Sequence, residues 1–191
     1  MICPGGPSAV KGYAIGGGSS VGKTTVVAHL LARHDFDEVI HVDDLRTHDF
    51  TARSGHSWLR PEDELLEALL ASTAQLRPRL IAELDRLSAR RARVLIEGEG
   101  LEPDLLHRYR DCRPVYLVEP DEDVLRTTLA TRPSGHRFRA LTPSEQQGVV
   151  RMNRRYGQWL RAEAERFRQP WLSSRPWDSL ADRVEDCLFG G

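Results

Sequence analysis

Short apolar runs alternate along the chain with stretches whose apolar residues recur at helical spacing. Gly12 to Ile15 reads as a first strand, and Thr24 to Arg33 as a helix with Val27, Leu30 and Leu31 on its core side. "EVIHV", Glu38 to Val42, has the length and content of a short buried strand. Pro61 then opens a helix whose first turn, Glu62-Asp63-Glu64, complements the helix dipole, and whose apolar stripe is Leu65, Leu66, Leu69 and Leu70. A second helix is expected from about Pro78 to Arg90, with Leu80, Leu84 and Leu87 inward. "RVLIEGEG" (Arg93 to Gly100) and "RPVYLVEP" (Arg113 to Pro120) are further buried strands, and Asp121, Glu122 and Asp123 open the helix after the latter. "TPSE", Thr142 to Glu145, is a capping box with proline at the first helical position. It starts a long helix through Tyr156, Trp159, Leu160 and Phe167. "PWLSS" is the last short strand, and a closing helix buries Leu180, Val184 and Leu188. Five strands with helices between them predict an α/β fold of three layers, α/β/α, around a parallel five-stranded sheet. Ligands are expected at the carboxyl ends of its strands.

Composition narrows the picture. The chain has 191 residues, of which 40% are hydrophobic, enough for one domain spanning 1–191. A formal net charge of -1 supplies no basic field for nucleic acid or an anionic membrane, so a nucleic-acid partner is not expected. Cys3, Cys112 and Cys187 are far apart and lack metal-ligand spacing, which fits a reduced, cytoplasmic setting. "MICPGGPSAVKG" has neither the basic segment nor the apolar run of a signal peptide, and residues 1–11 are expected to form a flexible tail. No apolar run approaches membrane-spanning length.

Between the first strand and the first helix lies Gly17-Gly18-Ser19-Ser20-Val21-Gly22-Lys23-Thr24, which satisfies G-x-x-x-x-G-K-[ST] in full. Glycines let the backbone approach a polyphosphate, and successive N–H groups form an anion nest. The following helix adds its N-terminal donors and dipole. Gly18, Ser19, Ser20, Val21, Gly22, Lys23, Thr24 and Thr25 are therefore the expected nucleotide-binding residues. Lys23 is expected on the β- and γ-phosphates, and Thr24 on Mg²⁺ through its hydroxyl.

Three further groups point to the same end of the sheet. Asp43 and Asp44 follow the second strand, where a carboxylate can take the proton of an attacking hydroxyl. If the chain stays extended there, the two point to opposite sides. Asp43 is then the expected base and Asp44 an acceptor or metal-water ligand, with a helix cap or solvated turn as the alternative. His41, inside the strand, is expected to be a packed core histidine. Arg46, His48, Arg53, His56 and Trp58 follow, suited to an anionic or ring-bearing acceptor bound by a region of about 45–75. Glu97 and Glu99 end the third strand, where an acid commonly orients Mg²⁺ through water; Glu97 is the expected metal group and Glu99 an acceptor contact. Arg132, Arg137 and Arg139 surround a Pro-Ser-Gly turn in "TRPSGHRFRAL", an expected arginine lid over about 132–141. Arginines there stabilise a transferring phosphoryl group. On the next helix Arg154 and Arg155 are candidates to reach toward the acceptor.

"GGSSVGKTT", "VDDL", "LIEGEG" and "TRPSGHR" occur in the order found in small P-loop kinases, and the chain resembles that group from roughly Tyr13 to Trp177. Within it the chain looks most like the 2-phosphoglycerate kinase-like ATP-binding proteins, on "GGSSVGKTT", "LIEGEGLEP" and "RRYGQWL". "VDDL" is also similar to the "VD-x-L" of chloramphenicol phosphotransferases, which implies a hydroxyl-activating role for Asp43. The resemblance implies ATP and Mg²⁺ as cofactors and a small-molecule hydroxyl or phosphate acceptor. Many of these kinases stack adenine on an arginine four residues before the lid arginine; here that position is Thr128, with Arg126 half a turn away. Backbone groups of Ser173 to Pro176 are an alternative contact for the base. A GTPase switch would need NKxD and DxxG, and neither is present. A non-catalytic nucleotide-binding protein is the other alternative.

Overall fold

Inner strands of a parallel sheet are covered on both faces, so their side chains are apolar throughout and alternate between two cores. The structure, a computed structural model, describes residues 12–46, 55–90 and 92–190. Among these, β1 (Gly12–Gly17), β2 (Glu38–His41), β3 (Val94–Gly98), β4 (Cys112–Val118) and β5 (Trp171–Ser173) form one parallel sheet in the order β2-β3-β1-β4-β5. The helices are α1 (Lys23–Arg33), α2 (Glu62–Arg90), α3 (Pro103–Leu106), α4 (Glu122–Thr131), α5 (His136–Arg139), α6 (Pro143–Arg166) and α7 (Leu180–Phe189). Tyr13, Ile15, Leu95, Val115 and Leu117 pack with Val26 and Leu30 of α1 and Val184 and Leu188 of α7. The alternate positions Ala14, Val94, Ile96 and Tyr116 pack with α2, α3 and α6. The three-layer expectation therefore holds. None of the described helices is long and apolar enough to cross a membrane.

One boundary differs from the sequence reading. The helix starting near Pro61 and the one expected from Pro78 are a single helix, Glu62–Arg90, with Pro78 inside it. Proline removes one backbone bond and crowds the carbonyl four residues before it, here that of Ala74. Pro78 and Ala74 both lie on the exposed side of the helix. The stripe Leu65, Leu69, Leu76, Leu80, Leu84 and Leu87 continues unbroken into the core and carries the helix across.

Helix α6 begins as its capping box predicts. The Glu145 carboxylate accepts from the Thr142 N–H at 2.8 Å, and the Thr142 hydroxyl accepts from the Glu145 N–H at 3.4 Å. Its early turns supply Val149 and Val150 to a third apolar cluster with Leu125, Leu129 and Phe138. On the opposite face α1 is tied to α7 through one carboxylate. Glu185 accepts from His29 Nε2 at 2.9 Å, His34 Nε2 at 2.7 Å and Arg33 Nε at 3.0 Å.

Candidate active site

The glycine-rich segment leaves β1 at Gly17 and enters α1 at Lys23, a strand-loop-helix path as its spacing requires. Gly22 has φ 93, in the left-handed region, and a Cβ there would stand 2.5 Å from the Trp177 ring and 2.8 Å from Leu180. Both backbone conformation and space select glycine at this position. Ser20 adopts φ 68, and its buried hydroxyl has no hydrogen-bond partner among the described residues. Val21 is buried and anchors the loop in the core. Helix α1 has neither an acidic residue in its first turn nor a side-chain cap, so no carboxylate competes for its leading N–H groups. The loop and this helix end form a cradle that suits an anion.

Lys23 folds back over the loop, its Nζ donating to the Gly17 carbonyl at 3.0 Å and the Gly18 carbonyl at 2.7 Å. Burial pushes its pKa down, against the opposing pull of Glu97, Glu99 and Asp43; the Arg132 charge adds to the lowering. The charges of these four residues thus act on the same ammonium. Thr24 and Thr25 follow on the exposed side of the first turn.

The acids after β2 are arranged differently from the extended picture. The chain closes a 3-10 turn over Val42–Leu45, and the Arg46 N–H bonds back to the Asp43 carbonyl at 3.1 Å. Strand alternation therefore does not separate Asp43 from Asp44, and both are exposed. Arg46 distinguishes them: its Nε donates to Asp43 Oδ1 at 3.0 Å and its Nη2 to Glu99 Oε2 at 3.2 Å. His41 is not a packed core histidine. Its side chain is 43% exposed and its Nδ1 lies 2.8 Å from Glu97 Oε1, across the register that pairs His41 with Glu97. An edge strand of four residues leaves its last side chain uncovered. Glu97 and Glu99 thus have separate partners on β2 and the turn after it.

Arg132 follows α4 and is partly buried; burial pushes its pKa down, opposed by Glu99 and Asp43. A 3-10 turn over Pro133–Gly135 and the short α5 come next. Phe138 of α5 is buried in the third cluster, while Arg137 stays exposed and Arg139 bonds back to the Ala130 carbonyl. Between this segment, the glycine loop, α2 and α6 lies a cavity of ≈ 420 Å³. Ser19, Glu99, Arg132, Arg137 and Asn153 supply its polar lining. Trp58 lines it from a 3-10 turn over Gly55–Leu59 whose backbone rests on α6 at Gly148, where a Cβ would stand 1.8 Å from the Trp58 carbonyl oxygen. Another cavity, of ≈ 330 Å³, opens at the amino ends of the strands near Leu84, Tyr109 and Cys112, away from the loop.

Asn153 is a site residue that the sequence reading missed. Its Oδ1 accepts the Ser19 N–H at 3.2 Å, while its Nδ2 donates to the Val149 carbonyl at 2.9 Å. A lone asparagine amid the arginines of α6 carries no motif; only the helical phase relative to Tyr156 and Leu160 marks it as inward. Arg155 does not line the cavity: its Nε bonds Asp63 Oδ1 at 2.8 Å, and Arg154 pairs with Glu62 at 3.3 Å and Glu122 at 3.1 Å. The acids that open α2 thus hold these arginines on the outer seam of α2 and α6. Neither Asp43 nor Asp44 is among the cavity residues. His48 and Arg53 lie outside the described residues, as does the side chain of His56.

On α4, Thr128 bonds its own helix at the Val124 carbonyl, and Arg126 is bound to Gln147. Arg183 takes the carbonyls of Ser173 at 3.0 Å and Pro176 at 3.1 Å. The buried Ser174 hydroxyl donates to Glu119 at 2.6 Å. Arg175 stacks over Trp177, 4.6 Å from the ring centroid, and Trp177 in turn covers Gly22.

No protein-family model matches the chain, and no curated protein matches it. Solved structures do. An uncharacterized protein from Eubacterium ventriosum ATCC 27560 is similar over 94% of this chain and 98% of its own, with a TM-score of 0.55 at 12% identity. A gluconokinase from Sinorhizobium meliloti 1021 is similar over 94% of this chain and 93% of its own, with a TM-score of 0.49 at 16% identity. A shikimate kinase from Acinetobacter baumannii in complex with shikimate is similar over 96% and 95%, with a TM-score of 0.46 at 17% identity. At 12% identity the likeness to the first is one of fold.

Proposed function

We propose that the chain is a kinase that moves the γ-phosphoryl group of ATP to the hydroxyl of a small molecule. The observation that carries this reading is the Lys23 ammonium folded over an anion cradle whose Ser19 also lines a cavity large enough for an acceptor, with Glu99 and Arg132 on the same lining. In it the N–H groups from Gly18 to Thr25 hold the phosphates, and the Lys23 ammonium exchanges its two carbonyl partners for phosphate oxygens. Thr24 through its hydroxyl and Glu97 through water are the groups suited to Mg²⁺, which supplies charge neutralisation on the β- and γ-oxygens. Asp43 accepts the acceptor's proton as the hydroxyl oxygen bonds to the γ-phosphorus. The bond from that phosphorus to the bridging oxygen breaks, and ADP leaves with the electron pair. Arg132 and Arg137 offset the charge that spreads over the transferring group. Glu99, held by Arg46, faces the acceptor. Asp44, beside Asp43 in the turn after β2, and Arg155, at the α2–α6 seam, have supporting roles.

The test is phosphoryl transfer from Mg-ATP to a panel of metabolite alcohols, followed by ADP release and by mass of the product. Lys23→Ala is expected to lower transfer by at least about 10²–10³-fold, the loss typical of one preorganised charge-stabilising donor. Its thermal transition should stay close to that of the wild type. Equal turnover by the two proteins would overturn the reading.

A further inference from the structure

The ≈ 330 Å³ cavity at the amino ends of the strands has a lining that divides by chain segment. Leu84 and Leu87 of α2, Val94 and Ile96 of β3 and Cys112 of β4 are its buried part. Burial pushes the Cys112 thiol up to about 12, so it stays an uncharged sulfhydryl on this wall. Gly12, the register partner of Cys112, and Ser88 of α2 also line it. The remaining lining is one stretch of chain between α3 and β4, Arg108-Tyr109-Arg110-Asp111. Arg108, Arg110 and Asp111 are exposed, and the Tyr109 hydroxyl donates to Asp85 Oδ1 at 2.9 Å. The inner wall is thus apolar, and the charges stand at the mouth. A wider groove adjoins it, sharing Arg108, Tyr109, Arg110 and Cys112 and adding the exposed His107, Arg113 and Arg168. No carboxylate lines this groove among the described residues. Arg108, Arg110 and Arg168 donate no side-chain hydrogen bond and make no ion pair among the described residues. Asp85 and Asp104, whose charges also reach this stretch, are engaged by Tyr109 and Arg77. Asp111 is the one carboxylate at the mouth, and the guanidiniums outnumber it.

We propose that this end of the sheet binds the anion of a medium-chain fatty acid, its tail in the cavity and its carboxylate on Arg108 and Arg110. An apolar tail displaces water from the wall of Leu84, Leu87, Val94 and Ile96, and the volume falls in the range of sites that enclose small ligands. Leu84 and Leu87 stand about one helical turn apart, and Val94 and Ile96 share one face of β3. A slot between a helix and a strand suits a narrow chain better than a broad ring system. Guanidinium groups pair with carboxylates through two parallel hydrogen bonds, so the head group gives these arginines the partner that the chain itself does not. A neutral ligand would leave them unpaired, and an inorganic anion would leave the apolar wall wet. The kinase reading plays no part here. β1 starts at Gly12, on this cavity, and ends at Gly17, where the glycine loop begins, so the two sites lie at opposite ends of the same strand.

The experiment is calorimetric titration of the full chain with sodium octanoate, sodium hexanoate and octan-1-ol in turn. Octanoate should saturate a single site. Hexanoate, two methylenes shorter, should bind at least about fivefold more weakly. Octanol, with the same tail and no charge, should bind at least about tenfold more weakly. Arg108→Ser combined with Arg110→Ser should weaken octanoate at least about tenfold and leave octanol unchanged. Leu84→Trp, which fills the inner space, should abolish binding of both. Should that variant fail to fold, the arginine pair, exposed and outside the core, carries the test alone. Lys23→Ala should bind octanoate as the wild type does. Absence of saturation, octanol or hexanoate binding as tightly as octanoate, or octanoate unmoved by the arginine changes overturns the proposal. Loss of octanoate binding in Lys23→Ala would put the carboxylate in the glycine cradle and overturns it too. Phosphoryl transfer is not the readout, so either reading can fail while the other stands.

Discussion

At the scale of single residues, the two aspartates after β2 are the sharpest question. Arg46 holds Asp43 and reaches Glu99, so Asp43 is tied to the charged set around Lys23, whereas Asp44 is one step further round the turn. Asp43→Asn is expected to reduce phosphoryl transfer by about 10²–10⁴-fold, the usual worth of a positioned general base, with nucleotide affinity nearly unchanged. Asp44→Asn should cost less than tenfold. Single-turnover rates and nucleotide titrations on both variants check this, and the reverse ranking would reassign the base. The sequence displayed these acids because they end apolar strands. It did not display which faces the site, since a 3-10 turn replaces the extended chain on which strand alternation depends. Asn153 was hidden for a different reason: its contact with Ser19 spans 134 positions and depends on how α6 crosses the sheet.

Among the elements, α2 and α6 build one side of the cavity, and each carries a local feature with a measurable effect. Pro78 interrupts the hydrogen-bond ladder of α2 on its exposed side. Pro78→Ala should therefore stabilise the protein, by up to about 3 kcal/mol, the helix-interior penalty of proline. Urea denaturation gives the difference directly; a destabilised variant would mean that the core depends on a bend at this point. In α6 the capping box works in the other direction. Thr142→Ala removes the hydroxyl that accepts the Glu145 N–H and should cost about 1 kcal/mol. The same unfolding assay reads it, and no change would show that Pro143 and the Glu145 carboxylate hold the helix start unaided. Strand positions and most helix starts were legible because strand periodicity, proline and capping residues are local. The join of two expected helices into α2 was not, because tertiary burial of a leucine stripe outweighed the local signal of Pro78. The pairing of Arg155 with Asp63 was likewise illegible, since it depends on which helix lies alongside α6.

For the whole molecule, the two faces of the sheet are secured differently. The face bearing α1 and α7 carries the carboxylate clamp at Glu185, whose pKa is held down to about 2 by hydrogen bonds from His29, His34 and Arg33, against a smaller opposing effect of burial. A carboxylate depressed in the folded state stabilises it fully above its unfolded pKa of 4.5 and loses that contribution as pH falls toward about 2. Glu185→Gln should thus be less stable than wild type near neutrality, and the gap should close between those two pH values. Urea midpoints measured across that window test it; a gap independent of pH would mean that the clamp acts through packing alone. The other face carries the cavity, and each end of the combined site has its own indole. Trp177 lies against Gly22 beneath Arg175, while Trp58 lies on the cavity wall. With phenylalanine in place of Trp159, Trp171 and one or the other of these two, the remaining indole reports on one end of the site. Binding at the glycine loop and binding in the cavity can then be followed separately in unlabelled protein, without a transfer assay.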